Sequence, residues 1–256
     1  MTVKKATLYV FSLYLTMFLL GEALSLVKPL IEPITGQGLQ MINKVIFAVG
    51  LLIVVYKLKL QRQCGLVLKV NWRTLPIYWP FALIAGLTLS TGINTDTSIS
   101  VLATIFLTTL AVGIGEELMF RGLVFHWFRD LSVRKQILIS AFSFGGLHLL
   151  GLLSSIDSTI IFAQIYFVAG LGITIAYARA RDYSIMLPIM VHFVFDFITI
   201  GGKGGVEKAA ATATPEQMVV GILAVGTIAW VWGGFLLLKA GNKSIFVSPP
   251  SNISTV

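Results

Sequence analysis

Eight long apolar blocks, most of them roughly 18 to 22 residues, run along this chain and are separated by short polar joints. Such a block, wound as a helix at ~1.5 Å per residue, spans the hydrocarbon of a bilayer. The blocks cover residues 6–27, 39–56, 77–93, 101–125, 136–153, 160–179, 185–200 and 218–238. Charged types make up 12% of the 256 residues and hydrophobic types 56%, with a mean hydropathy of +0.89. A soluble domain carries about twice that share of charge, ~25%. A soluble enzyme and a disordered chain are therefore both excluded. No strand-like alternation and no internal repeat interrupts the blocks, so the predicted fold is all-α, a polytopic transmembrane bundle of about eight spans.

The net charge of +8 follows from topology rather than from nucleic acid. With the N-terminus placed in the cytoplasm, fourteen of the nineteen lysines and arginines fall inside, including the basic loop 57–75. Lys28, Lys203 and Lys208 fall outside, while Lys44 and Arg121 lie within spans. The positive-inside rule then puts both termini in the cytoplasm. The first block also has features of a signal peptide, Lys4-Lys5 before an apolar run and Gly21-Glu22-Ala23 after it. Its length and Glu22 favour an uncleaved span. Three stretches are expected: 1–98 with spans one to three, 99–200 as a core of spans four to seven, and 201–256 with an external loop, the last span and a tail. The single cysteine, Cys64, rules out an internal disulfide and a cysteine-cluster metal site.

The informative residues are ionisable groups inside the spans. Glu116, Glu117 and Arg121 lie in the fourth block, His148 in the fifth, and His192 with Asp196 in the seventh. A charge at mid-bilayer costs roughly 2.5–3.5 kcal/mol, so four unpaired ones would cost on the order of 12 kcal/mol. They must pair or face water. Glu117 and Arg121 are spaced i, i+4 on one helix face, as are His192 and Asp196, and Glu116 is left without a helical partner. At ~1.5 Å per residue Glu116 and His148 each lie about 20 Å from a cytoplasmic end, and His192 about 17 Å. Three separate helices thus deliver these groups to one depth, as an intramembrane site requires.

Carboxylates and imidazoles at that depth can activate water, either directly or through a metal. No serine, threonine or cysteine has a histidine base at an evident spacing, and no His-Glu-x-x-His helix is present. Glu116-Glu117-x-x-x-Arg121, Phe144-x-x-x-His148 and His192-x-x-x-Asp196 resemble, in order, the three motifs of the CAAX-protease and bacteriocin-processing (Abi) family. The resemblance covers about residues 100–199. It implies a membrane endopeptidase in which Glu116 activates water and His148 and His192 complete the site. Glu117 and Arg121 would shape the site electrostatically, and Asp196 would assist His192 or water. It admits both a zinc-bound water, with His148 and His192 as metal ligands, and a metal-free one. The implied partners are the lipid bilayer and a membrane-associated peptide or protein substrate, in the plasma membrane of a prokaryote.

Other readings of the same residues remain open at this level. A proton- or ion-coupled transporter also uses buried carboxylates and histidines, though no paired broken helices are evident. A non-catalytic adaptor or immunity protein of the same family would retain the motifs without turnover. His126 is expected at the membrane interface, Gly145-Gly146 in helix packing, and the glycine-rich stretch 201–205 in an external loop. Cys64 is expected as a free cytosolic thiol and Glu22 as a partner for Lys44.

Overall fold

The computed structural model describes residues 3–27, 36–153, 156–204 and 213–241, and among these every regular element is helical. Long apolar runs in a low-dielectric surround leave backbone amides no partner but one another, which selects the helix. One helix follows each apolar block: α1 (Val3–Val27), α2 (Gly36–Lys57), α3 (Trp79–Ser90), α4 (Ile99–Trp127), α5 (Val133–Leu153), α6 (Ser158–Arg181), α7 (Met186–Gly201) and α8 (Pro215–Lys239). Lys28-Pro29, Ser154-Ser155, residues 205–212 and Lys243 lie outside the described residues.

Local chemistry sets several helix starts. The Ser98 side chain accepts from the Val101 amide at the start of α4, and Asp157 accepts from the Thr159 amide at the start of α6. Thr214 and Gln217 form a reciprocal capping box at α8, with Pro215 in the first turn. Each cap satisfies amides that the first helical turn would otherwise leave open.

Five helices are long and apolar enough to cross a membrane: α4, α5, α6, α8 and α2 over Gln37–Lys57. Shorter apolar stretches occur at Leu8–Leu24 in α1 and Met186–Gly201 in α7. The third block departs most from a full span. Pro76 sits in a 3-10 turn, Trp72–Tyr78, and Pro80 falls in the first turn of α3, where its missing amide hydrogen costs nothing. The helix that follows has only 12 residues, ~18 Å against a ~30 Å hydrocarbon core.

Helix α6 is the axis of the bundle, with 61% of its apolar window enclosed against 22% for α2 and α8. Small residues allow that enclosure. A Cβ on Gly170 would come within 3.1 Å of Ala229 on α8, and one on Gly172 within 3.1 Å of Ala141 on α5. Gly145 packs against Ala169 in the same way, at 3.1 Å, whereas Gly146 has nothing within 4 Å. Close approach through small residues is the usual route to helix association in lipid. Exposed Phe11, Ile46, Phe106, Phe162 and Val220 cover the outside of the bundle. That apolar exterior belongs against acyl chains rather than water.

The basic loop after α2 is not a loose joint. Ile185 donates its amide to the Gly65 carbonyl at 2.9 Å, Ser184 Oγ donates to the Val67 carbonyl at 2.8 Å, and Tyr183 donates its hydroxyl to the Arg62 carbonyl. Cys64, fully buried beneath α4, is a free thiol that burial pushes up to about 12. It is therefore an inert packing residue rather than an accessible thiol. Gly65 has φ +73°, and a Cβ there would lie 2.4 Å from the Tyr183 carbonyl. Gly65→Ala should thus lose roughly 1–3 kcal/mol to backbone strain alone. A clear fall in the thermal midpoint of the detergent-solubilised protein is the expected result, and an unchanged midpoint would contradict it.

Candidate active site

The stretch Gly113-Ile114-Gly115-Glu116-Glu117 on α4 brings three helices together. A Cβ on Gly113 would lie 3.2 Å from the Ile189 carbonyl of α7, and one on Gly115 would lie 3.3 Å from Phe47 and 3.5 Å from Ala48 of α2. The two glycines let α7 and α2 close on α4 from two sides. Their approach carries His192 and Lys44 to the adjacent glutamates.

Glu116, expected to lack a helical partner, finds partners on those two helices. Lys44 Nζ is 3.6 Å from its Oε1, and His192 Nε2 is 3.9 Å from its Oε2. His192 Nε2 is also 3.4 Å from Asp196 Oδ2, while Nδ1 lies 2.8 Å from Glu117 Oε1. A carboxylate at 2.8 Å can only accept, so His192 Nδ1 carries a proton and donates it to Glu117.

Beneath this layer, Glu117 and Arg121 form a wholly buried pair at 3.2 Å. Arg121 also donates through Nη2 to the Gly172 carbonyl at 3.1 Å, and its guanidinium lies 4.7 Å from the centre of the Phe144 ring. Carboxylate, carbonyl and aromatic face together replace much of the hydration that the cation loses on burial. Three carboxylates, Glu116, Glu117 and Asp196, thus face two cations, Lys44 and Arg121.

His148 stands at the junction where α5 turns from α-helix to a 3-10 turn, His148–Leu153. Its Nδ1 faces the Phe144 carbonyl at 3.2 Å, which can only accept, so Nδ1 carries the proton and Nε2 is available to water or substrate. The Phe144 ring meets both imidazoles edge-on, 5.5 Å from His148 and 5.8 Å from His192. This one ring therefore spaces both histidines and covers Arg121.

Exposure is graded through the site. Glu117 and Arg121 are 0% exposed, Glu116 and His192 6%, and His148, Asp196 and Lys44 are half-buried. Such an order seals the ion pair beneath Glu116 and His192 and leaves His148, Asp196 and Lys44 on the outer side of the cluster. His126 takes no part; it lies against Arg129 at the far end of α4.

Some contacts carry no sequence signal. Lys44 is legible as a charge within a span and is expected beside Glu22, whereas the structure sets it against Glu116, 72 positions away along the chain. Two π-helical turns, Leu118–Val124 and Phe197–Gly201, begin directly after Glu117 and Asp196. π-turns recur at functional sites, where they re-aim side chains within a helix. The first is pinned by Ser140, which donates to the Phe120 carbonyl at 3.0 Å. Tyr14 of α1 donates its hydroxyl to the Ser143 carbonyl beside Phe144, which ties the first helix to the site.

A catalytic zinc needs ligands within ~2.0–2.2 Å of one point. Among the described residues no group of three or more histidine, cysteine, aspartate or glutamate side chains converges in this way. His192 has Nδ1 engaged by Glu117, and its Nε2 keeps 3.4 Å and 3.9 Å from the nearest carboxylates. As arranged, these donor atoms do not converge on one point.

Comparison with protein families matches residues 97–198 to the Type II CAAX prenyl endopeptidase Rce1-like family. Glu116, Glu117, Arg121, His148, His192 and Asp196 all fall in the matched segment, and Lys44 falls outside it. No curated protein and no solved structure matches the chain. The likeness read from three short motifs is thus found again over a continuous stretch that holds the whole α4–α7 cluster. Residues 97–198 of this integral membrane protein thus match the Rce1-like type II CAAX prenyl endopeptidase family.

Proposed function

We propose that the protein is an intramembrane endopeptidase in which Glu116 removes a proton from water and the hydroxyl attacks a peptide bond presented at the membrane. The observation that carries this reading is the meeting of Glu116 with Lys44 and His192 directly above the buried Glu117–Arg121 pair. The proton passes from water to the Glu116 carboxylate as the new C–O bond forms at the scissile carbonyl. Lys44, the half-buried cation beside Glu116, stabilises the oxyanion, and His148 Nε2 orients the attacking water. Glu116 then returns the proton to the leaving amine as the C–N bond breaks. General base catalysis contributes ~10²–10⁴-fold and one well-placed oxyanion donor ~10²–10³-fold. The buried Glu117–Arg121 pair fixes the orientation of His192 without touching substrate.

The substrate class is a membrane-associated peptide or protein whose scissile bond reaches this depth. Membrane proteomes from cells making the wild type and Glu116→Ala test the reading. Peptides that lose a cut only in the variant are expected, and identical peptide sets would overturn it.

Zinc held by His148 and His192 is the alternative source of an activated water. Under the metal-free mechanism, cleavage should persist in a strong chelator and the purified protein should hold well under one zinc per chain. Loss of activity in chelator with recovery on added zinc would instead show that the two imidazoles draw together around a metal.

A further inference from the structure

At the end of the bundle where α6 and α8 both finish, a cavity of about 440 Å³ opens between the 3-10 turn Trp72–Tyr78 and the last turns of those helices. Arg73, Arg181 and Lys239 line it, with Asn71 and Thr74 as further polar groups and no carboxylate. All three cations are exposed. Two walls of this cavity, Trp232 and Phe235, also line a second one of about 430 Å³ whose exposed surface is entirely apolar. That second cavity runs between Trp79 on α3 and Ile228 and Val231 on α8.

The shared wall is preformed. Trp232 donates its indole N–H to the Ile77 carbonyl at 2.9 Å, meets Trp79 edge-on at 5.6 Å and stacks on Phe235 at 5.2 Å. Aromatic side chains with one polar edge belong at the level of lipid headgroups. From Lys239 back to Ile228 is about 17 Å along α8 at ~1.5 Å per residue. That length matches one leaflet of a ~30 Å hydrocarbon core. The cationic pocket therefore lies at headgroup level, and the apolar groove runs from it to the depth of an acyl chain.

We propose that the two cavities bind one anionic phospholipid, its phosphate held among Arg73, Arg181 and Lys239 and one acyl chain lying along Trp79, Ile228 and Val231. Three positive charges with no facing carboxylate select an anionic headgroup over a zwitterionic one. The contiguous apolar groove selects a lipid over a soluble phosphate. The site is separate from Glu116 and independent of the catalytic reading.

Native mass spectrometry of the full-length protein released from detergent micelles tests this, with phosphatidylglycerol, phosphatidylcholine and soluble glycerol phosphate as separate probes. One phosphatidylglycerol should stay bound where phosphatidylcholine does not. Each cation near an anionic headgroup contributes roughly fivefold, so Arg73→Gln/Arg181→Gln/Lys239→Gln should weaken retention on the order of 100-fold. The exposed positions of these residues leave the core intact, and an unchanged thermal midpoint without added lipid checks this. Arg181→Gln alone should weaken retention about fivefold. Val231→Trp, which fills the groove, should also lower phosphatidylglycerol retention. Equal retention of the two lipids, or undiminished phosphatidylglycerol binding in the triple variant, would overturn the proposal. Glycerol phosphate binding as tightly as the lipid would overturn it too, by reducing the site to a simple phosphate pocket.

Discussion

Glu116→Gln is expected to lower the single-turnover cleavage rate by ~10²–10⁴-fold while leaving the fold in place. Glutamine keeps the size of the side chain and can still hydrogen-bond, but it cannot take a proton from water. Little stability is at stake, since the Lys44–Glu116 contact is 3.6 Å long and the lysine side chain is 27% exposed. Partly exposed pairs of this kind contribute roughly 0.2–1 kcal/mol. The measurement pairs a thermal midpoint with the rate of cleavage of a membrane-tethered peptide in proteoliposomes. A variant that cuts within a few-fold of the wild type would remove Glu116 from the role of base.

Arg121→Ala is expected to act through the fold instead. It would leave Glu117, which is 0% exposed, without its cation. The same change takes the guanidinium donor from the Gly172 carbonyl and the cation from the Phe144 ring. Removing one partner of a buried pair costs ~3–5 kcal/mol, a large part of the stability of an ordinary domain. The protein should fail to accumulate or should melt far below the wild type, with activity lost in parallel. Adding Glu117→Gln to the variant removes the stranded charge and should restore part of the midpoint. A single variant as stable as the wild type would show that the pair is not the support of the site.

The fate of these residues shows where sequence was informative. Apolar length alone located all eight helices, because a backbone in hydrocarbon has no alternative to internal hydrogen bonds. It overstated the third span, where Pro76 and Pro80 shorten the helix that the block can form. The Glu117–Arg121 and His192–Asp196 pairs were legible because i, i+4 spacing fixes a shared face whatever the surroundings. Equal depth placed Glu116 and His192 in one layer, and they lie 3.9 Å apart. What sequence could not supply was the rotation of one helix about another. That rotation carries Lys44 to Glu116 and sets the Phe144 ring between two imidazoles and Arg121. Gly113 and Gly115 determine it by permitting backbone approach, and spacing along the chain carries no trace of their neighbours.

Water as the direct nucleophile, delivered by Glu116, is the centre of the account. It is tested most directly by cleaving a tethered peptide in ¹⁸O-labelled water with a competing amine present. The peptide is one whose cut disappears in Glu116→Ala membranes. Direct attack predicts one ¹⁸O in each new carboxyl terminus, no amine-captured product at any amine concentration, and no product from Glu116→Gln. Capture of the cleaved acyl group by the amine would reveal a covalent acyl-enzyme and contradict direct attack by a Glu116-activated water.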